Sequence, residues 1–323
     1  MPGPYPQTTR LQHGLVAIDT EYARPMQDAS HLIVEGGRGA FVDTGVNSSV
    51  PLLLAALAGE DLDAGDVDYV FLTHIHLDHA GGAGLLMQQL PNARCVVHPR
   101  GAPHMVDPAK IIAGTEAVYG KQNTAMIYGR IVPIAAERID IADDGQVFSL
   151  RGRELEVFYT EGHARHHYCL SDPSSQGIFT GDSFGVSYRE LDTTAGEFIF
   201  PTTTPVHFDP VEAHKSIDRI MSYAPERLYL THYSEVGNLE RLAADLHAGI
   251  DMLVAIAEQN ADAVERTTAI QNAIFEFFVS ALTRHGFKGD RDTIWSILSM
   301  DVTLNTQGIE VWLDKTRKGS EPF

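Results

Sequence analysis

The chain has 323 residues, 44% hydrophobic and 21% charged, a composition typical of a globular protein long enough to bury a core without disulfides. Its 24 Lys and Arg stand against 43 Asp and Glu, a formal charge of −19. Such a surface repels a phosphate backbone and argues against nucleic acid as a partner. The two cysteines, Cys95 and Cys169, have no Cys-x-x-Cys spacing and read as buried thiols. Residues 1–10 lack the basic start and apolar run of a leader, and no stretch reaches the roughly 18 apolar residues of a membrane helix. A cytoplasmic protein with no membrane partner is expected.

In chain order, residues 31–35 and 39–42 read as strands joined at Gly36-Gly37, a hairpin ending at Asp43-Thr44-Gly45. Ser48 or Ser49 can cap a helix over 51–58, with Pro51 in its first turn and Gly59 as its stop. Val67–Leu72 is nearly continuous in apolar residues, as a strand covered on both faces should be. A helix over 84–90 and a strand over 94–98 follow. Residues 101–135 lack clear periodicity and read as an insertion or lid. Further strands are predicted at 154–159, 177–179 and 227–230, and a helix opens at Asp209-Pro210 and runs to about Ser222. Beyond residue 238, helical spacing recurs over 239–257 and 269–282, with two more short helices after it. The division expected is a domain over 1–237 and a helical C-terminal region over 238–323, whose apolar stripe must bury against the core or a partner, possible partners including a second copy.

The segment Thr73-His74-Ile75-His76-Leu77-Asp78-His79-Ala80-Gly81-Gly82 directly follows the 67–72 strand. Three imidazoles and a carboxylate within six positions are costly to bury and hard to explain as packing. His74 and His76, two apart on an extended segment, can aim at one point; Asp78 and His79, where the chain turns into a helix, can aim at a second. Nitrogen and oxygen donors suit zinc, and also iron or manganese. Three later residues follow predicted strands: His163 in Thr160-Glu161-Gly162-His163, Asp182 in Thr180-Gly181-Asp182, and His232 in Thr231-His232. Strand carboxyl ends are where α/β architectures place their sites.

Together these motifs resemble the metallo-β-lactamase superfamily, over about residues 12–236. The resemblance implies an α/β fold, the αββα sandwich, here with an all-helical C-terminal extension. It implies a first metal on His74, His76 and His163, a second on Asp78, His79 and His232, and Asp182 bridging the two. Asp43 matches the family's buried acid near the site. Glu161 departs from the family pattern, where Pro commonly precedes Gly-His, and the stretch between His79 and His163 is longer than in compact lactonases.

The chemistry implied is a binuclear hydrolase in which a metal-bridging hydroxide attacks a small ester, lactone or thioester, with Asp182 as bridge and Asp78 able to pass a proton to the leaving group. The alternative on the same ligands is a di-iron oxygen-binding or redox protein. Because the ligands are generic, selectivity is expected from residues 184–208 and 101–135, with Phe200 and Tyr128 as pocket walls and Tyr188 as a hydroxyl near the reacting atoms. His166 or His167 is expected to support the ligand loop. His13, His98, His104, His214, His247 and His285 share no spacing and read as structural or surface residues.

Overall fold

Strand Val67–Leu72 shows how the first half is built. Val70 and Leu72 join one apolar cluster and Phe71 another, all three without exposed surface. Alternating side chains therefore enter two separate cores, which is why the strand reads as continuously apolar. The computed structural model describes residues 7–203 and 205–319. Residues 1–6, part of the amino-terminal stretch considered above, and Thr204 of the 184–208 loop lie outside them.

The first of two compact units comprises residues 1–159, 166–181 and 225–237. Its first sheet runs in chain order: β1 (Thr8–Arg10), β2 (Leu15–Asp19), β3 (Ala29–Glu35), β4 (Arg38–Val42), β5 (Val67–Leu72), β6 (Arg94–Val97) and β7 (Ile139–Ile141). The β1 to β4 pairs are antiparallel, and β4 to β7 are parallel. The second sheet has the order β13 (Ser234–Val236), β12 (Arg227–Leu230), β11 (Gly177–Gly181), β10 (Tyr168–Asp172), β9 (Arg153–Tyr159) and β8 (Val147–Leu150). Between the sheets, Ile33, Val42, Phe71 and Val96 pack with Leu155, Val157, Tyr168, Phe179 and Tyr229. On the other face of the first sheet, Leu53 and Leu57 of α1 (Val50–Gly59) and Leu86 of α3 (Ala83–Gln89) close the second core, with α2 (Leu77–Ala80) between them in the chain. Each such fully buried Leu or Val contributes roughly 1.5–3 kcal/mol.

Residues 101–135, which lack clear periodicity in the sequence, are largely helical. They form α4 (Ala102–Val106), α5 (Ala109–Tyr119) and α6 (Lys121–Tyr128). Gly120 and Gly129 break the run at positive φ (81° and 62°), and α5 buries no residue, so the helical period leaves almost no trace in the hydrophobic pattern.

Among the described residues, the second unit comprises 160–165, 182–203, 205–224 and 238–319. It holds α7 (Pro210–Ser222), α8 (Leu239–Gln259), α9 (Arg266–His285) and α10 (Arg291–Arg317). The expected stripe on α8 is buried, including Leu242, Leu246, Ile250 and Leu253. The two short helices expected at the end are one 27-residue helix, α10. Its apolar stripe is interrupted by Asp301 and Asn305, which are buried because they bind a loop: Tyr188 donates to Asp301 Oδ1 (3.0 Å), and Thr203 N donates to Asn305 Oδ1 (2.7 Å).

Candidate metal centre

In the first unit, the parallel pairing of β4 and β5 puts their carboxyl ends side by side. Asp43 follows β4 in a left-handed conformation (φ 57°) and is 1% exposed. Its carboxylate accepts from Thr73 N (2.9 Å) and Thr73 Oγ1 (2.9 Å) after β5, accepts from Thr231 Oγ1 (2.8 Å) after β12, and pairs with His79 Nδ1 (2.8 Å). One side chain thus ties two sheets to an imidazole, the supporting role expected for Asp43. The chain can turn between β5 and α3 because Gly82 lacks a Cβ, which would stand 2.7 Å from Val46 O.

A second acid, Asp28, lies against His232, whose Nδ1 also meets the carbonyl of Gln27 at 3.2 Å. Asp28 Oδ1 lies 2.8 Å from His232 Nδ1, and the residue has no exposed surface. Burial raises its carboxyl to about 6, although His232 opposes the shift. Sequence reasoning missed Asp28; the available signal was an acid immediately before an apolar strand, the mirror of Asp43 immediately after one. With both Nδ1 atoms held by carboxylates, the Nε2 atoms of His79 and His232 face Asp78 Oδ2 at 3.6 and 3.8 Å. Donor atoms of Asp78, His79 and His232 all lie within 4.8 Å of one another. Imidazoles oriented by carboxylates and converging with a third carboxylate fit a divalent ion.

His74 and His76 meet beside them, Nε2 to Nδ1 at 2.8 Å. The His74 ring stacks on His167 (centroids 4.8 Å apart, 29°), and the His76 ring meets His166 edge-on (5.5 Å, 87°). His166 and His167 therefore support the ligands by ring packing. Gly181, at φ +47°, gives them room: a Cβ there would lie 2.6 Å from His167 Nε2. Tyr22 and Tyr128 form a buried hydroxyl pair, 2.8 Å apart. Burial first, and then the charge of Asp78, pushes both phenols well above their ordinary range.

The second unit carries the other two predicted ligands, His163 and Asp182, Nε2 to Oδ2 at 3.3 Å. The Gly-His turn is seated on α7: Asp209 N donates to Gly162 O (3.0 Å), and Ser216 Oγ donates to Glu161 O (2.6 Å). Asp209 also caps α7 through Val211 N and Glu212 N. A Cβ at Gly162 would stand 2.3 Å from Ala213 N, so the close approach requires glycine. His163 and Asp182 line a pocket of about 330 Å³ of empty space, mouth included, with Pro201, Thr202, Phe208, Ile217, Leu246 and Ile250 among its walls.

Two expectations for this region are corrected. Tyr188 is 1% exposed and commits its hydroxyl to Asp301, so it braces the loop. Phe200 packs on Phe278 (centroids 5.0 Å) and Tyr188 (5.9 Å), and the loop's contribution to the pocket comes from Gly185, Pro201, Thr202 and Phe208.

Two helix-flanked mixed sheets with imidazole and carboxylate donors at strand ends define an αββα metal-site protein. A sequence profile of the metallo-beta-lactamase superfamily matches residues 23–232, well over half of the chain, and the protein belongs to that superfamily. The metallo-beta-lactamase fold-containing protein ST1585 of Sulfurisphaera tokodaii is 28% identical over 170 residues, 51% of this chain and 60% of the relative. An atrochrysone carboxyl ACP thioesterase of Aspergillus fumigatus is 28% identical over 155 residues, 48% of this chain and 36% of the relative. A hydroxyacylglutathione hydrolase of Maricaulis maris is 29% identical over 182 residues, 55% and 54%. The chain thus spans between about a third and three fifths of the length of these relatives. Among solved structures, ST1585 superposes with a TM-score of 0.64 at 22% identity, covering 93% of this chain and 99% of its own. TTHA1429 of Thermus thermophilus does so with 0.67 at 18%, covering 94% of each. Coverage this broad means that the fold shared with them includes C-terminal helices. No helix among the described residues is long and apolar enough to cross a membrane.

Proposed function

We propose that the protein is a metal-dependent hydrolase of a small ester, lactone or thioester, and that its seven donors form one binuclear centre. His74, His76 and His163 would hold one ion, Asp78, His79 and His232 the other, with Asp182 shared. The observation that carries this reading is the paired device in the first unit, where Asp43 and Asp28 each orient an imidazole toward Asp78. Among the three substrate types, the relatives named as an ACP thioesterase and a hydroxyacylglutathione hydrolase favour the thioester.

When bound, the ions supply Lewis acidity at neutral pH, so hydrolysis on this site needs no serine nucleophile. The protein's own contributions are separable. Asp43 and Asp28 keep the Nδ1 protons of His79 and His232 in place, fixing the tautomer that leaves Nε2 as donor. The Asp78 carboxylate is the proton carrier for the leaving group. The pocket walls, Pro201, Phe208, Ile217, Leu246 and Ile250, receive an apolar acyl portion and exclude water from it. This favours a neutral or weakly anionic substrate of modest size.

The test is a rate screen over thioesters, lactones, aryl esters and phosphodiesters with protein reconstituted in zinc, iron or manganese. Thioester turnover should lead, and should fall when His76 or His163 is replaced by Ala with loss of about one metal equivalent. No turnover in any arm, with iron and visible absorption in the protein as purified, would replace this reading with the oxygen-binding one.

A further inference from the structure

His214 of α7 and His247 of α8 lie 33 positions apart with no common motif, yet the helices bring their rings edge to edge, with centroids 4.9 Å apart, planes within 9° and the two Nδ1 atoms 2.6 Å apart. The other nitrogen of each ring faces a carboxylate on the opposite helix. His214 Nε2 is 3.2 Å from Asp251 Oδ1, and His247 Nε2 is 3.3 Å from Asp218 Oδ1. Each helix thus supplies a His and, one turn later, an Asp, on the same face.

Proton accounting gives this arrangement a meaning. A carboxylate only accepts, so each Nε2 carries its proton. A neutral ring protonated on Nε2 presents a bare lone pair at Nδ1. Two such lone pairs face each other here and repel unless a proton or a metal ion stands between them. Moving one proton to Nδ1 relieves that contact but sets an Nε2 lone pair against a carboxylate. A metal ion satisfies all four groups with both rings neutral, and carboxylates on the far nitrogens are the usual partners of metal-bound imidazoles. The neighbouring lysine on α7, Lys215, is already paired with Glu212 at 2.8 Å.

We propose that His214 and His247 form a further metal site, separate from the ligands described above, that takes zinc or a similar divalent ion through the two Nδ1 atoms. Water completes the coordination, and Asp218 and Asp251 orient the rings. At metal–nitrogen distances of about 2.0–2.1 Å, two tetrahedral donors stand about 3.3 Å apart. The two nitrogens therefore need to part by less than 1 Å and the rings to tilt so that their lone pairs converge, and both side chains, 29% and 31% exposed, have solvent on one side to do so. The consequence is a clamp between α7 and α8. Ala213, Ile217, Leu246 and Ile250, each one position before a member of the cluster, line the pocket, so the clamp fixes the spacing of two pocket walls.

The experiment measures Zn²⁺ binding to the full chain by calorimetry, by metal analysis after desalting and by thermal shift. The variants are His214→Ala, His247→Ala, His214→Gln, Asp218→Asn with Asp251→Asn, and His76→Ala. Each His214 and His247 variant should lose one zinc equivalent and part of the zinc-induced rise in Tm. The double Asn variant should bind that equivalent at least tenfold more weakly, and His76→Ala should retain it. Unchanged stoichiometry and affinity in a His214 variant with native circular dichroism overturns the proposal. A defect confined to His76→Ala concerns the other centre only.

Discussion

The two units fix their polar side chains in opposite ways. In the first, buried acids at strand ends hold imidazoles: Asp43 grips Thr73, Thr231 and His79, and Asp28 grips His232. In the second, buried polar groups of α10 hold a loop, with Asp301 on Tyr188 and Asn305 on Thr203. The first arrangement makes rigid donors for chemistry. The second shapes a largely apolar pocket, which needs walls at the right distance more than it needs charges. On the function proposed above, reaction type and substrate choice are set by different kinds of contact.

The largest effect that would sharpen this contrast lies in the first unit's buried ion pair. Arg153 Nε meets Asp172 Oδ1 at 2.9 Å, with the side chains 2% and 0% exposed. Asp172→Ala removes the buried carboxylate from the guanidinium, leaving it the more distant Glu35 at 3.8 Å, and should cost about 3–5 kcal/mol in denaturant unfolding. In the helical unit, Glu276→Ala removes an exposed partner of Arg291, and its unfolding midpoint should match the parent's. Equal losses in the two variants would erase the distinction.

Next in size is an acid sensitivity built into the first unit. His31 is fully buried, and burial lowers it from 6.5 to about 4 despite the opposing charge of Asp43. The unfolded chain takes up this proton first as pH falls. The His31 contribution to stability is therefore complete above about 6.5 and is lost toward 4, by about 3 kcal/mol over the window, while Asp28, raised to about 6, acts in the opposite direction over the same range. Between pH 8 and 4, the denaturant midpoint of chelator-treated protein should fall more toward acid in the parent than in His31→Phe, the difference between the two being the His31 contribution. A parallel slope in the variant would assign the sensitivity to other groups.

How much of this was legible follows from where each signal lies along the chain. The His74 to His79 segment concentrates its donors in six positions after a strand that declares itself, and Gly162-His163, Gly181-Asp182 and Thr231-His232 repeat one context. Local spacing records local geometry. Asp28 was not legible because its partner is over 200 positions away, and the role of His214 with His247 was hidden in the same way. The 101–135 helices were obscured because α5 buries nothing. Helix α10 looked broken because Asp301 and Asn305 occupy stripe positions for the sake of a loop 100 residues earlier.

Smaller in free energy, but specific to the metal, are Asp43→Asn and Asp28→Asn. An amide can present the wrong atom to an imidazole N–H, so the orientation of His79 or His232 is lost while volume is kept. Metal affinity should fall about 10–100-fold in each, more for Asp43, which holds three other bonds. Competition with a chelator of known affinity measures this. A pocket substitution that produced the same metal defect would break the division of labour.

The smallest expected effect tests that division from the other side. Ile250 lines the pocket from α8 and is 2% exposed, and Ile250→Ala adds room without touching a donor. One or two methylene units in such a wall are worth about tenfold in discrimination. Longer acyl groups should therefore gain on shorter ones by about that factor in kcat/KM, with metal content unchanged. Phe200→Ala is the instructive companion. Phe200 directly precedes the pocket residue Pro201 but packs on Phe278 and Tyr188, so its loss should lower Tm and leave the ranking of acyl groups as it was. If Phe200→Ala reorders the substrates and Ile250→Ala does not, the wall that selects the substrate lies on the aromatic side of the loop, and the pocket bounded by α7 and α8 is not where the acyl group sits.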